Sequence, residues 1–325
     1  MDHAMRRREF ITLAGGMAVW PLAARAQQPV RRIGAFIGAG VDKQIYVRAL
    51  REGLEALGWI DGKNIQIEYR WVGEDVDNLK SDAASLVAFD AEVIVSGGTQ
   101  ATVALKEATE RIPIVFVHVA DPVQGGLVKS LARPEGNITG FSAYESSIAG
   151  KWLELLKKVA PRTKHVLVLA GSSPTWRMHV PTMEAAAPSV EVQLTIAHVQ
   201  NAAEIEPAIN AFAGRADSGL ISLPDNMLFE NHGHIAALAA KHRLPDVYAI
   251  QSLQFGGLLR YSSDWPDLYR RAASYVDRIL KGAKPGELPI QQPTKFQLTI
   301  SLKTARALGL TVPPTLLALA DEVIE

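Results

Sequence analysis

The sequence predicts an α/β protein of two similar, doubly wound parallel-sheet lobes that are joined by a hinge. Short apolar strand-like segments alternate with amphipathic helical segments from Arg32 onward, and this alternation starts again after residue 140. Continuous apolar strands separated by helices are typical of parallel sheets covered on both faces. Near the end, residues 284–294 contain three prolines, which predicts an extended connector between the lobes.

The elements of the first lobe follow from apolar periodicity. Residues 33–37, Ile-Gly-Ala-Phe-Ile, predict a buried strand, and residues 44–57 place Tyr46, Leu50 and Leu54 on one helical face. The same reasoning predicts, in chain order, a strand at 64–72, a helix near 75–88, a strand at 93–95, a helix near 99–110 and a strand at 114–117.

The second lobe repeats this order. We predict a helix at 144–160, a strand at 166–169, a helix near 175–187, a strand near 190–197, a helix near 202–213, a strand at 220–223, a helix near 227–242 and a strand near 246–250. A strong amphipathic helix at 265–281, a strand at 296–300 and a helix at 302–308 end the chain.

These patterns divide the chain into three units. Residues 1–26 form an export signal, residues 30–140 the first lobe and residues 141–260 the second. We expect the helix at 265–281 to complete the first lobe and residues 286–325 to complete the second. Several crossings between two α/β lobes make a hinge, and a hinge makes a cleft for a ligand.

The first 26 residues have the pattern of an export signal. A basic head at Arg6–Arg8 precedes an apolar run at 10–24, and Ala24-Arg25-Ala26 is a small-x-small cleavage site. About fifteen apolar residues are too few to span a bilayer core of about 30 Å. Arg7-Arg8-Glu9-Phe10-Ile11 resembles the twin-arginine motif, and a Sec signal or an uncleaved anchor is the alternative. We expect a periplasmic protein with no stable membrane insertion.

Composition excludes several classes of function. Lys+Arg and Asp+Glu both number 34, so charge gives no argument for a nucleic-acid partner. The absence of cysteine excludes a thiol nucleophile and thiolate metal sites. There is no Gly-x-Ser-x-Gly elbow and no Walker loop. The eight histidines form no metal-ligand pattern, and His232 and His234 are predicted to lie on the surface. We therefore expect no catalytic residue, metal or cofactor.

Loops at the carboxyl ends of the predicted strands carry the candidate ligand site, since ligands of open α/β sheets bind there. The loop at 38–42, Gly-Ala-Gly-Val-Asp, superficially resembles a dinucleotide fingerprint, but its third glycine is missing, and we interpret it as a flexible turn. In the loop of Ser96, Gly97, Gly98 and Thr99, two glycines permit close approach of a ligand, and free N–H groups at the helix start suit a carboxylate. The alternative is a tight turn with Thr99 as N-cap.

Three further loops offer groups for which helix capping is the competing interpretation. Asp121 precedes a proline, the usual N-cap and first-turn pair, and it also has the position to hold a ligand. Ser173-Pro174 has the same form, and Trp176 beside it offers either a stacking face or a packing residue. Asp225 follows a buried strand, and a lone carboxylate in a cleft suits a ligand ammonium group. Tyr261 is expected to line the same cleft.

Five stretches carry a family resemblance. The chain from Arg32 to Glu325 is similar to the ABC transporter substrate-binding family that includes bacterial aromatic amino-acid-binding lipoproteins. The stretches are Leu54–Trp59, Asp121–Val123 with Gly126–Val128, Asn137–Phe141, Ile279–Pro285 and Lys303–Leu310. The resemblance implies a type I periplasmic-binding fold, no catalysis, a small-molecule ligand and an ABC permease as partner.

The resemblance also implies where the ligand lies. It would be held between the Ser96–Thr99 and Asp121 loops of one lobe and loops near Tyr144, Ser172 and Asp225 of the other. This chain lacks the lipobox cysteine, so it is expected to be soluble after cleavage. We expect an amino acid or a small carboxylate as ligand. A ligand-sensing partner of a membrane receptor and an exported cofactor-dependent enzyme are the alternative functions.

Overall fold

Two β-sheets, each covered by helices on both faces, organise the protein. The computed structural model describes residues 30–37, 43–72, 76–145, 147–172, 175–249 and 253–325. The proposed export signal, the loop at 38–42 and Ser173-Pro174 lie outside these residues. Among the described helices, none is both long and apolar enough to cross a bilayer. The predicted α/β class with two doubly wound lobes is confirmed.

The first sheet has five parallel strands in the order β2-β1-β3-β4-β5. They are β1 (Arg31–Ile37), β2 (Ile65–Trp71), β3 (Val93–Gly97), β4 (Ile114–Val119) and β5 (Ile138–Ser142). Helices α1 (Lys43–Ala56) and α9 (Trp265–Leu280) bury their apolar faces against one side of this sheet. Helices α2 (Val76–Ala88) and α3 (Thr99–Ala108) cover the other side.

The second sheet has seven strands in the order β12-β11-β10-β9-β8-β6-β7, and the β10–β11 pair is antiparallel. The strands are β6 (His165–Ala170), β7 (Gln193–His198), β8 (Ser218–Ser222), β9 (Asp246–Tyr248), β10 (Leu259–Ser263), β11 (Phe296–Ser301) and β12 (Glu322–Ile324). Helices α4 (Ile148–Val159) and α5 (Trp176–Ala186) pack on one face, and α6 (Ile205–Phe212) and α8 (His232–Lys241) pack on the other. Short helices α7 (Asn226–Glu230), α10 (Leu302–Leu308) and α11 (Pro314–Leu317) complete this lobe.

Several elements differ from the predicted ones. Strand β5 was not predicted, because Thr139, Gly140 and Ser142 interrupt its apolar run. The predicted helix at 227–242 is two helices, and the chain leaves helical geometry at Asn231, whose side chain donates to the Met227 carbonyl at 2.8 Å. The prediction that His232 lies on the surface is wrong: it is 2% exposed.

Three segments of the described chain pass from one lobe to the other, and they lie side by side. They follow β5, join β10 to α9 and precede β11. The Ser142 N–H donates to the Gln291 carbonyl at 2.9 Å, and the Ser263 hydroxyl donates to the Ala143 carbonyl at 2.7 Å. Asp264 and Lys295 form an ion pair at 3.0 Å. Adjacent crossings of this kind form a hinge.

The last crossing comes later than the predicted second-lobe start at 286. Residues 285–291 run beside the first sheet, where the Ile290 N–H donates to the Leu131 carbonyl at 2.7 Å and the Thr139 hydroxyl donates to the Leu288 carbonyl at 2.6 Å. The chain enters the second sheet only at Phe296. Helix α9 packs on α1 of the first lobe. The division of the chain into folding units remains a prediction.

Candidate functional site

A cavity of about 500 Å³ lies between the two lobes. Its walls are the loops that follow β2, β3, β4 and β5 in the first sheet and β6, β8 and β9 in the second, together with the first residue of α9. All of these loops leave the carboxyl ends of parallel strands, where ligands of open α/β sheets bind. The volume lies within the usual range for a small-molecule site.

The structure brings seven of the nine predicted site residues together on the cavity wall: Gly97, Gly98, Thr99, Asp121, Tyr144, Ser172 and Asp225. The remaining two lie elsewhere. The Ser96 hydroxyl is buried beneath the loop, 2.9 Å from that of Thr102. Tyr261 stacks on Phe296 with ring centroids 5.7 Å apart. Ser96 therefore supports the loop from below, and Tyr261 is a packing residue. Contact of the other seven with a ligand remains a prediction.

The first turn of α3 faces the cavity without a side-chain cap. The interpretation of Thr99 as N-cap is wrong, because Gly98 is the N-cap and Thr99 is the first helical residue. Gly98 has φ 85°, a conformation that favours glycine, and a Cβ there would stand 3.2 Å from the His118 ring. Since no side chain caps the first turn, its N–H groups can donate hydrogen bonds to an anionic group of a ligand.

Asp121 shapes the neighbouring loop. Its Oδ1 accepts hydrogen bonds from the N–H groups of Val123 at 3.1 Å and Gln124 at 3.0 Å. A series of turns follows, and not the helix that the capping interpretation of Asp121 implies. The carboxylate therefore holds the turn in place while it lies on the cavity wall.

Asp225 acts as a cap and also lines the cavity. Its Oδ1 accepts a hydrogen bond from the Leu228 N–H at 3.1 Å at the start of α7. The carboxylate lies directly against Gly171, because a Cβ at residue 171 would overlap the carboxyl group. The Thr175 hydroxyl donates to the Pro224 carbonyl at 2.8 Å. The loops after β6 and β8 are therefore joined at the cavity.

A stacked pair of rings forms the floor of the cavity, and sequence reasoning missed it. His118 and Trp265 lie with ring centroids 4.1 Å apart and planes at 4°. Burial lowers the pKa of His118 to about 3, so the ring is neutral at physiological pH. The Trp265 Nε1 is buried without a hydrogen-bond partner in the described part of the chain.

The reason these rings were missed lies in their sequence context. His118 belongs to the buried strand Ile114–Val119, and Trp265 begins an amphipathic helix, so both fit a core role. The position of Trp265, directly after a lobe crossing, was the available signal. Arg177, Met178 and Gln124 also line the cavity and were not predicted. Trp176 does not line it, and instead packs against the His198 ring at 4.4 Å.

The sequence analysis predicted no metal-ligand pattern. Within the described residues, no group of three histidine, aspartate or glutamate side chains is placed to hold a metal ion.

Tyr144 lines the cavity as a largely buried ring. It is 6% exposed, and its ring meets the His179 ring edge-on, with centroids 5.3 Å apart. Burial raises the pKa of Tyr144, so its hydroxyl stays protonated and can act as a hydrogen-bond donor.

Two doubly wound lobes with a cavity between their strand ends define a two-lobed solute-binding protein. The chain belongs to the ABC transporter substrate binding protein family, whose sequence profile matches residues 35–324. This match confirms the resemblance found in the sequence. Members of this family are substrate-binding proteins and not enzymes, and this chain is a solute-binding protein of the ABC transporter type.

Individual relatives agree with the family assignment. The tyrosine-binding protein of Clostridioides difficile (strain R20291) is 28% identical over 262 residues, which cover 80% of this chain and 75% of that protein. A conserved domain protein from Vibrio cholerae has a TM-score of 0.80 and 27% identity, covering 90% of this chain and 99% of that one. An ABC domain in complex with L-Trp from Streptococcus pneumoniae has a TM-score of 0.80 at 24% identity, over 90% and 99% of the two chains. The fold is that of the type I periplasmic binding proteins.

Proposed function

We propose that this protein is the solute receptor of an ABC importer and that its ligand is an α-amino acid with an aromatic side chain. The observation that carries the proposal is the composition of the interlobe cavity. The cavity combines the start of α3, which has no side-chain cap, with the carboxylates of Asp121 and Asp225 and the stacked rings of His118 and Trp265. These groups match the carboxylate, the ammonium group and the ring of such a ligand.

Each group has a chemical role. The first-turn N–H groups of α3 and the Thr99 hydroxyl would bind the ligand carboxylate, since a helix start favours negative charge. Asp225 would accept a charge-assisted hydrogen bond from the ammonium group. The ligand ring would pack on Trp265 and His118, which line the cavity. The tyrosine-binding relative supports this ligand class.

The family supports delivery to a permease. Closure of the lobes about the three adjacent crossings would enclose the ligand and create the surface that an ABC permease recognises. The fold and the family therefore favour an importer component over a sensor of a membrane receptor.

A ligand screen tests the proposal. We expect L-tyrosine or L-tryptophan to raise the melting temperature by several degrees, because a ligand at about 100 times its Kd adds roughly 2.7 kcal/mol to the stability. Sugars and carboxylates without an amino group are the controls. Small-angle scattering should show a smaller radius of gyration with ligand. A shift given by sugars alone, or no compaction at saturation, would contradict the proposal.

We also propose that the protein is exported to the periplasm with cleavage after Ala26. Mass spectrometry of periplasmic protein should then give Gln27 as the first residue. Replacing Arg7 and Arg8 by lysine should block export if the twin-arginine route is used. Normal export of that variant would indicate the Sec route, and an intact residue 1–26 segment on exported protein would refute cleavage.

A further inference from the structure

Two loops of the second lobe form one joined surface on the cavity wall. The loop after β6 carries Gly171 and Thr175 and leads into the first turn of α5, which carries Arg177; the loop after β8 carries Pro224 and Asp225. Strands β6 and β8 are direct neighbours in the sheet. The 2.8 Å hydrogen bond from Thr175 to the Pro224 carbonyl and the packing of Gly171 against the Asp225 carboxylate hold the loops together. The two loops are therefore fixed relative to each other.

Arg177 supplies the positive charge of this surface. Within the described residues, it is the one lysine or arginine that lines the cavity. Its guanidinium lies over the Trp176 ring, 5.4 Å from the centroid, and the edge contact of Trp176 with His198 fixes that ring. Among the residues that the structure describes, no carboxylate forms an ion pair with the Arg177 guanidinium. An arginine held by stacking and lacking a carboxylate partner is suited to bidentate binding of a ligand carboxylate.

We infer that Arg177 binds the ligand carboxylate and that, with Asp225, it forms a pair on the second lobe that recognises an amino-acid zwitterion. This inference rests on the proposed function and assigns the selectivity of that same site. The opposite charges of the pair match the carboxylate and ammonium groups, which sit on one carbon of the ligand. The first turn of α3 lies on the other lobe, so it would reach the same carboxylate only when the lobes close.

The pair sets the class of ligand. A free α-amino acid satisfies both charges, whereas an amide or a C-terminally extended peptide leaves Arg177 without an anion. Arg177 is exposed in this structure, and closure of the lobes over the ligand would remove it from water. In a closed cleft, a charged group that loses its partner discriminates strongly between related ligands. The protein should therefore select free amino acids against their carboxamides, independently of the side chain.

Calorimetry with an amino acid and its amide tests the inference. The probes are L-tyrosine and L-tyrosinamide, with L-tryptophan and its amide in parallel. The variant is Arg177→Met, which keeps the length of the stem over Trp176 but removes the charge. We expect an affinity loss of about 10- to 100-fold for the amino acid and no change for the amide.

Arg215→Met is the matched control, because Arg215 also stacks on an aromatic ring of the second lobe, 5.4 Å from the Phe212 centroid, but does not line the cavity. It should bind like the wild type. Equal losses for amino acid and amide in Arg177→Met, or no loss for either, overturn the inference while the proposed function stands. A wild-type protein that binds none of the four probes overturns the proposed function itself, and the inference with it.

Discussion

Replacing Asp225 with asparagine is expected to lower the affinity for an amino acid by about 10- to 100-fold. The change removes one charge-assisted hydrogen bond to the ligand ammonium group, which is worth about 1.5–3 kcal/mol in a desolvated cleft. The free energy of unfolding without ligand should change by less than about 1 kcal/mol, because asparagine caps a helix about as well as aspartate. The bond from the Leu228 N–H at 3.1 Å can still form with the asparagine Oδ1.

Titration calorimetry and thermal unfolding of the same samples separate the two roles of Asp225. Asp217→Asn is the matched control: it also removes one negative charge from the second lobe, and Asp217 does not line the cavity. Asp217 has φ 55°, a conformation that asparagine tolerates. Wild-type affinity in Asp225→Asn would show that Asp225 only caps α7.

Replacing Gly171 with alanine is expected to disrupt stability and binding together. A methyl group at residue 171 would overlap the carboxyl group of Asp225, so that either the side chain or the loop must move. Overpacking of this kind costs about 1–3 kcal/mol. Gly171 does not adopt a positive φ, so alanine strains no backbone there. Displacement of Asp225 should also lower the affinity for the amino acid by at least as much as Asp225→Asn does.

A double-mutant cycle tests this cause. In an Asp225→Ala background the overlapping atoms are gone, so Gly171→Ala should cost little stability there. Gly150→Ala is the matched control, because a Cβ at residue 150 in α4 would meet the Ala186 Cβ at an ordinary 3.4 Å. That change should be neutral or stabilising, since alanine favours a helix. Additive stability losses in the cycle would rule out the clash.

The sequence predicted most of the described secondary structure, because each strand and helix buries its own apolar side. The strands at 33–37, 93–95, 114–117 and 166–169 and the helix at 265–281 correspond to β1, β3, β4, β6 and α9. Strand β5 was missed because its pairing with β4 supplies the stability that its own composition lacks. The apolar periodicity within one segment does not show which other strand will pair with it.

The site residues on the loops could be predicted from the sequence because the ends of the strands that precede them could be predicted. Gly98, Thr99, Asp121 and Asp225 all follow predicted strands, and the rule that ligands bind at carboxyl ends placed them on one cavity. Which of them cap and which are left to face a ligand depends on hydrogen bonds that sequence does not show. Gly98 is the N-cap of α3, and glycine suits this position because φ is 85° and the His118 ring would lie 3.2 Å from a Cβ there.

The sequence by itself determined the α/β class, the order of most elements and the polar loops that could hold a ligand, since these depend on apolar periodicity and on residue types within a single segment. Only the tertiary structure decided that His118 and Trp265, distant in the chain, stack 4.1 Å apart as the floor of the cavity. It also placed Arg177, in the first turn of α5, and Asp225, after β8, on the wall of one cavity. These contacts arise because α9 returns from the second lobe to the first and because β6 and β8 are neighbours, and no local pattern encodes which segments meet.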